Sequence, residues 1–286
     1  MITGKTRLAG IMGWPVSHSR SPSLHNFWLA ETGIDGAYVP LPVRPQDLAT
    51  ALRALPVLGF RGCNLTLPHK EAALSLVDTV DPLAQRIGAV NTVIVAADGA
   101  LYGRNTDAFG FREYLAECVP DYEPAAGRAV VLGAGGASRA VVAALCELKV
   151  PEICLVNRTP ERARHVARDL TVSGTSIAVH PFERRHLLLD GAALLVNTTS
   201  LGMTGQPELD LDLAALPARA VVVDIVYAPL ETRLLAAARR RGHRAVDGLG
   251  MLLHQGRPGF EAWFGTPVRV TRELRAAVLT TLAGAR

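Results

Sequence analysis

The feature that most constrains this chain lies near its middle. Arg128-Ala129-Val130-Val131-Leu132 is an apolar run of strand type that leads directly into Gly133-Ala134-Gly135-Gly136-Ala137-Ser138. A helical stretch follows from Val141 to Leu148, apolar nearly all round. After the break at Pro151, Ile153-Cys154-Leu155-Val156 is a second short apolar strand. Strand, glycine-rich turn, helix and strand in that order make a βαβ unit. A glycine-rich turn at this place lets the backbone approach a pyrophosphate and aims helix N–H groups at it. Gly133 and Gly135 fill the first two places of the G-x-G-x-x-G pattern, and Ser138 stands at the third, where a small side chain is needed for helix–strand packing. A plain tight turn is the competing reading of the same residues.

The end of the second strand separates two dinucleotides. An NAD site carries an Asp or Glu there to hold the ribose hydroxyls. Here the strand ends in Asn157-Arg158-Thr159-Pro160-Glu161-Arg162, with no acid at its tip and two guanidinium groups four residues apart. Arg pairs bidentately with phosphate and stacks on adenine, which points to the 2′-phosphate of NADP(H). The segment also reads as a helix start with Thr159 as N-cap and Pro160 at the first helical position.

Further buried-strand runs follow at 193–197 and 220–225, separated by the polar loop Thr198-Thr199-Ser200-Leu201-Gly202-Met203. A helix over 230–241 and a strand over 243–246 complete a doubly wound parallel sheet spanning 108–245. The first hundred residues alternate strands (8–12, 37–41, 62–65, 90–95) with helical patterns, so 1–107 form a separate α/β domain. Ser21-Pro22 reads as N-cap and first helical position of a helix striped by Leu24, Phe27 and Trp28. Helices near 249–263 and 271–283 are too little chain to stand alone. Residues 246–286 are therefore expected to return to the first domain.

Composition excludes other classes. The chain has 286 residues, 49% hydrophobic, and a net charge of +4 from 30 basic and 26 acidic residues, too balanced for a nucleic-acid protein. No run of 18 apolar residues suggests a membrane helix, and no signal peptide is read at the N-terminus, so a cytoplasmic location is expected. The four cysteines (63, 118, 146, 154) show no metal spacing and read as reduced structural thiols; the eight histidines show no paired motif, so no metal is expected. Only three of the basic residues are Lys, at 5, 70 and 149, which singles out each of them.

Polar residues cluster in four loops of the first domain: Ser19-Arg20-Ser21-Pro22, Asn64-Leu65-Thr66-Leu67-Pro68-His69-Lys70, Gly88-Ala89-Val90-Asn91-Thr92 and Asn105-Thr106-Asp107. Singly each has a plain reading as cap, turn or surface. Together with Gly133 to Ala137, Asn157-Arg158-Thr159, Asp224-x-x-Tyr227-x-Pro229-x-x-Thr232, Gly248-x-Gly250-Met251-Leu252 and Gln255, they resemble the shikimate dehydrogenase family over nearly the whole length.

That resemblance implies an α/β fold: an N-terminal substrate domain completed by the C-terminal helices, and a Rossmann-type NADP domain. It implies NADPH-dependent reduction of 3-dehydroshikimate on the route to aromatic amino acids. Lys70 and Asp107 match the catalytic pair. Ser19 and Ser21 match serines that hold the substrate carboxylate. Thr66, Asn91 and Gln255 match residues that hydrogen-bond the ring hydroxyls, and Tyr227 a tyrosine near the ligand. Gly133, Ala134, Gly135, Gly136 and Ala137 match the pyrophosphate loop, Asn157, Arg158, Thr159 and Arg162 the adenine-ribose phosphate contacts, and Gly248 a cofactor-site glycine. His69 and Gly256 depart from what other members commonly carry. The implied partner is a small molecule; a homodimer is one assembly left open. A quinate/shikimate dehydrogenase of broader choice and a non-enzymatic metabolite sensor are the alternatives. Arg158 argues against NAD preference in the first, and the intact Lys70–Asp107 pair against the second.

Overall fold

Two kinds of apolar run build two sheets. In the computed structural model, which describes residues 2–283, the chain divides into two units: one is the chain up to Thr106 together with the chain from Leu253 onward, the other is Asp107–Leu252.

The first unit runs β1 (Arg7–Gly13), α1 (Ser21–Thr32), β2 (Gly36–Pro42), α2 (Leu48–Val57), β3 (Phe60–Leu65), β4 (Thr79–Val80), α3 (Pro82–Ile87), β5 (Thr92–Val95) and β6 (Leu101–Arg104). Its six strands lie in the order β2-β1-β3-β5-β6-β4. β1 pairs parallel with β2 and β3, whereas β5 is antiparallel to both β3 and β6. This antiparallel turn of the sheet was not expected from the apolar runs, and neither β4 nor β6 was among the expected strands. Both are short, two and four residues, which leaves little alternation to read.

The second unit runs α4 (Asp107–Cys118), β7 (Arg128–Leu132), α5 (Gly136–Glu147), β8 (Glu152–Asn157), α6 (Pro160–Leu170), β9 (Ser176–Pro181), β10 (Ala192–Asn197), β11 (Val221–Asp224), α7 (Arg233–Arg240) and β12 (Arg244–Val246). All six strands are parallel, in the order β12-β11-β10-β7-β8-β9. This is the doubly wound Rossmann-type arrangement, with β7 at the centre. Val130, Val131, Leu132, Leu155, Val156 and Leu195 are completely buried, as strands covered on both faces require.

Two helices close the chain, α8 (Leu249–Phe264) and α9 (Arg272–Ala283). Within the first unit the Trp263 indole donates to Val93 O at 3.0 Å and the Trp28 indole to Arg269 O at 2.9 Å, tying strand β5 and helix α1 to the C-terminal segment. The stretch 246–252, expected with those helices, belongs to the second unit. There Gly248 N donates to Val226 O at 3.2 Å. A side chain at 248 would collide with the carbonyl of Ile225, so only glycine permits this approach.

Candidate functional site

In the second unit, the chain winds from β7 through β8 and β9 to one side and through β10, β11 and β12 to the other. The carboxyl ends of β7 and β10 flank the point where the winding reverses, the place where open parallel sheets bind ligands. Gly133 sits there with φ of 107°, and its N–H donates to Val156 O at 2.7 Å. A Cβ at Gly133 would stand 2.7 Å from Thr198 Oγ1, whose hydroxyl donates to Leu132 O at 2.6 Å. Ser138, in the third position of the pattern, is fully buried and donates to Gly133 O at 2.7 Å. The hydroxyl thus closes the turn as well as fitting the helix against the strand.

Gly135 and Gly136 differ: both are exposed, and a Cβ on either would meet nothing within 4 Å. α5 begins at Gly136, earlier than the expected Val141, so the helix start, whose first amides lack helical acceptors, lies beside this open space. The open cradle and the unpartnered helix start fit a pyrophosphate.

At the tip of β8, Asn157 Nδ2 donates to Thr159 O at 2.8 Å and shapes the loop. Thr159 occupies the N-cap position of α6 with Pro160 next, but its side chain makes no capping bond; the expected cap is positional only. Arg158, Thr159 and Arg162 are exposed. Among the described residues Arg164 pairs with Glu161 and Arg168 with Asp169, whereas Arg158 and Arg162 enter no ion pair. Two uncommitted guanidinium groups at this strand end fit a phosphate monoester.

Asp224 ends β11 fully buried. Its carboxylate accepts from Asn197 Nδ2 (3.0 Å), Val226 N (3.1 Å) and the Thr232 hydroxyl (2.7 Å). Burial outweighs these bonds and pushes its pKa up to about 6. The network fixes the segment 224–232, which carries the half-buried Tyr227.

In the first unit the polar loops converge on the carboxyl ends of the parallel strands. Ser21 is the first residue of α1 and Pro22 the second; Arg20 holds the N-cap position without a side-chain bond. The expected cap role of Ser21 is therefore corrected: Ser19 Oγ accepts Ser21 N–H at 3.3 Å instead. Proline is tolerated through the first helical turn, so Ser-Pro did not fix the helix start to one residue. Thr66 N donates to Met12 O (3.0 Å), and Thr66 O accepts His69 N (2.9 Å). The buried His69 meets Val43 O through Nε2 at 2.8 Å, and Lys70 O accepts Val90 N at 2.8 Å. The turn carrying half-buried Lys70 is thus held to three strand ends.

Asn91 is buried, its Oδ1 accepting from Thr92 Oγ1 (2.9 Å), Thr106 N (2.9 Å) and Thr106 Oγ1 (3.2 Å). The Thr106 hydroxyl also faces Gln255 Oε1 at 3.5 Å. Asn91, Thr106 and Gln255 share one buried polar cluster, and Asp107 follows Thr106 directly as the first residue of α4. Tyr38, Asn64 and Thr92, which the sequence reading did not place in the site, belong to the same cluster. Asn64 and Thr92 stood in the polar loops that carry the resemblance, whereas Tyr38, inside β2, carried no such signal. Among the described residues no group of three or more His, Cys, Asp or Glu is arranged to hold a metal ion.

A parallel sheet with a glycine cradle and an arginine loop, and a second α/β unit whose strand ends carry hydroxyl, amide and ammonium groups, define a dinucleotide-dependent oxidoreductase. Residues 11–93 match the family described as shikimate dehydrogenase substrate binding domain, and residues 117–209 that described as shikimate / quinate 5-dehydrogenase. The chain is 62% identical over 279 residues to the shikimate dehydrogenase (NADP(+)) of Paramagnetospirillum magneticum, covering 98% of this chain and 100% of that one. It is 60% identical to that of Rhodospirillum rubrum, covering 98% and 99%. The shikimate 5-dehydrogenase of Thermus thermophilus, solved with NADP(H) and shikimate, superposes with a TM-score of 0.84 at 38% identity, covering 96% and 99% of the two chains. A quinate dehydrogenase from Corynebacterium glutamicum solved with NAD superposes at 0.90 with 33% identity, covering 96% and 99%. The chain belongs to the shikimate dehydrogenase family.

Proposed function

We propose that this chain catalyses the reversible NADPH-dependent reduction of 3-dehydroshikimate to shikimate in chorismate and aromatic amino acid biosynthesis. The observation that carries the reading is the end-to-end likeness to NADP(+)-dependent shikimate dehydrogenases, in a chain whose Arg158 and Arg162 stand uncommitted where an NAD enzyme carries an acid. Shikimate is a carboxylate with three hydroxyls. Ser19 and Ser21 supply hydroxyl donors for the carboxylate; Thr66, Asn91 and Gln255 supply neutral polar groups for the ring hydroxyls, with Tyr227 beside the ligand.

NADPH, when bound, supplies the hydride. Gly133 to Ala137 offer the open cradle for its pyrophosphate, and Asn157, Arg158, Thr159 and Arg162 the loop for its adenine-ribose phosphate; Gly248, packed on the Ile225 carbonyl, matches a cofactor-site glycine by the resemblance alone. Reduction of a ketone builds negative charge on its oxygen, and a positioned cation with a proton stabilises that charge. The Lys70 ammonium meets this need, with Asp107 orienting it or relaying the proton. A cytoplasmic location fits four cysteines that stand as thiols.

The test is NADPH absorbance during turnover of shikimate and of quinate with NADP+ and with NAD+. Turnover of shikimate with NADP+ is the expected result; preference for quinate with NAD+ would overturn it.

A further inference from the structure

We propose that Tyr38, outside the set of residues assigned to substrate, is a positioning residue for the shikimate site: its hydroxyl locks the Asn64 amide, and through it the main chain and hydroxyl that hold Asn91. The inference rests on the reading of Asn91 as a substrate contact.

The hydrogen-bond directions follow from groups that can act in one sense only. Asn91 O is a carbonyl and can only accept; the Asn64 atom 3.0 Å from it is therefore the Nδ2 donor. Asn64 Oδ1 then faces the Tyr38 hydroxyl at 2.6 Å, and the phenol must donate. The second Asn64 N–H goes to Thr92 Oγ1 at 3.0 Å, so the Thr92 proton is turned to Asn91 Oδ1 at 2.9 Å. Thr106 N–H donates to that same oxygen at 2.9 Å. Asn91 Oδ1 is thus committed inward, and whatever else Asn91 meets it meets as a donor through its NH2.

Every member is inaccessible to water that could substitute for a lost partner: Tyr38 is 2% exposed, Asn64 4%, Asn91 2% and Thr92 1%. The phenol is also held in place. The fully buried His25 ring stacks on it at 4.1 Å and 10°, and Trp263 packs at 5.9 Å. Burial pushes the His25 pKa down to about 3, so this stacking partner is neutral. Tyr38→Phe keeps both ring contacts and removes the hydroxyl, which donates to Asn64 Oδ1 and also meets the Ser21 side chain; Thr92→Val leaves the Ser21 contact untouched and reads the Asn64 route by itself. Asn64 Oδ1 then loses its phenol donor, the Asn64 amide and Thr92 hydroxyl gain rotational freedom, and Asn91 loses one of its fixed contacts.

The experiment uses the full chain and compares Tyr38→Phe, Thr92→Val, their double variant and Asn91→Ala. The expected result for Tyr38→Phe is a rise of about five- to ten-fold in KM and Kd for shikimate, the loss of one neutral hydrogen bond. kcat and the NADP+ Kd should stay within about two-fold. Thr92→Val breaks the same chain one link later, so the double variant should be no worse than the worse single. If Tyr38→Phe does not fold, Thr92→Val carries the same readout. Wild-type shikimate KM in Tyr38→Phe and Thr92→Val, equal weakening of both ligands, or additive losses in the double variant would each overturn the proposal. Asn91→Ala with wild-type shikimate KM overturns the site reading and the proposal with it; a raised KM in Asn91→Ala alone overturns only the proposal.

Discussion

The Thr232 hydroxyl donates to Asp224 Oδ2 at 2.7 Å while its oxygen accepts the Leu235 amide at 3.3 Å, so one side chain caps helix α7 and anchors a buried carboxylate. Asp224 is held by three donors, yet burial still raises its pKa to about 6 from 3.8.

The sign for stability follows from the raised value. At pH 7.5 the folded protein holds Asp224 ionised at a desolvation cost that the unfolded chain does not bear. As pH falls through about 6 towards 4, the folded state takes up a proton before the unfolded state does, and stability is regained by on the order of 3 kcal/mol. Asn cannot titrate. Asp224→Asn should lower stability by about 1–3 kcal/mol, because an NH2 replaces an acceptor facing donors. The gap between wild type and variant should widen from pH 7.5 to pH 5. Urea unfolding at the two pH values measures it; a gap that stays constant or narrows removes burial as the dominant cause.

Gly133 and Gly135 should respond oppositely to alanine. At Gly133 the positive φ and the Thr198 hydroxyl 2.7 Å from a Cβ make Ala strained, at about 1–3 kcal/mol of stability. Gly135 has an extended backbone and open space, so Gly135→Ala should melt as wild type. Its methyl group would instead stand where the cradle admits the pyrophosphate, and NADP+ affinity should fall by about ten-fold or more. Thermal melts and cofactor titrations of the two proteins separate the effects; a Gly135→Ala protein with unchanged NADP+ affinity would take Gly135 out of the cradle.

Lys70 and Asp107 are expected to act as a unit. Lys70→Ala and Asp107→Asn should each lower kcat by roughly 10²–10⁴-fold, the range for losing acid–base assistance. The double variant should fall little further than the worse single. Steady-state kinetics of the three proteins decide it: losses that multiply in the double would show two independent contributions, and near-normal kcat in either single would remove that residue from the chemistry.

The second unit was largely legible because parallel strands covered on both faces leave unbroken apolar runs, and β7, β8, β10 and β11 are such runs. The glycine turn was legible from its place between strand and helix. What escaped the sequence depends on partners far apart in the chain. Tyr38, Asn64 and Thr92 meet across separations of 26 and 28 residues, and no local pattern encodes which polar atom faces which. Asp224 and Thr232 stood in the motif that carried the resemblance, but their bond to each other, and the cost of burying the acid, required coordinates. Ser21 was misplaced by one helical position because Pro22 satisfies the first turn equally well at its second residue. Ser138 suits its place by size, but size does not tell that its hydroxyl closes the Gly133 turn.

Cofactor choice gives the sharpest test of the site. β8 ends without an acid, and Arg158 and Arg162 are exposed without ion-pair partners among the described residues, while their neighbours Arg164 and Arg168 are engaged with Glu161 and Asp169. NADP carries a 2′-phosphate that NAD lacks. Charge-assisted bonds of about 1.5–3 kcal/mol each therefore favour NADP by at least about two orders in kcat/KM. Arg158→Ala should weaken NADP+ strongly and NAD+ only slightly, since NADP+ alone loses a partner. Because these arginines lie at the surface, added salt should weaken NADP+ binding more than NAD+ binding. A merely solvated Arg158 predicts small and equal changes for both. Dissociation constants of the two dinucleotides, measured for wild type and Arg158→Ala at low and high ionic strength, decide between these outcomes. Equal shifts for NADP+ and NAD+ would end the case for a phosphate clamp at Arg158.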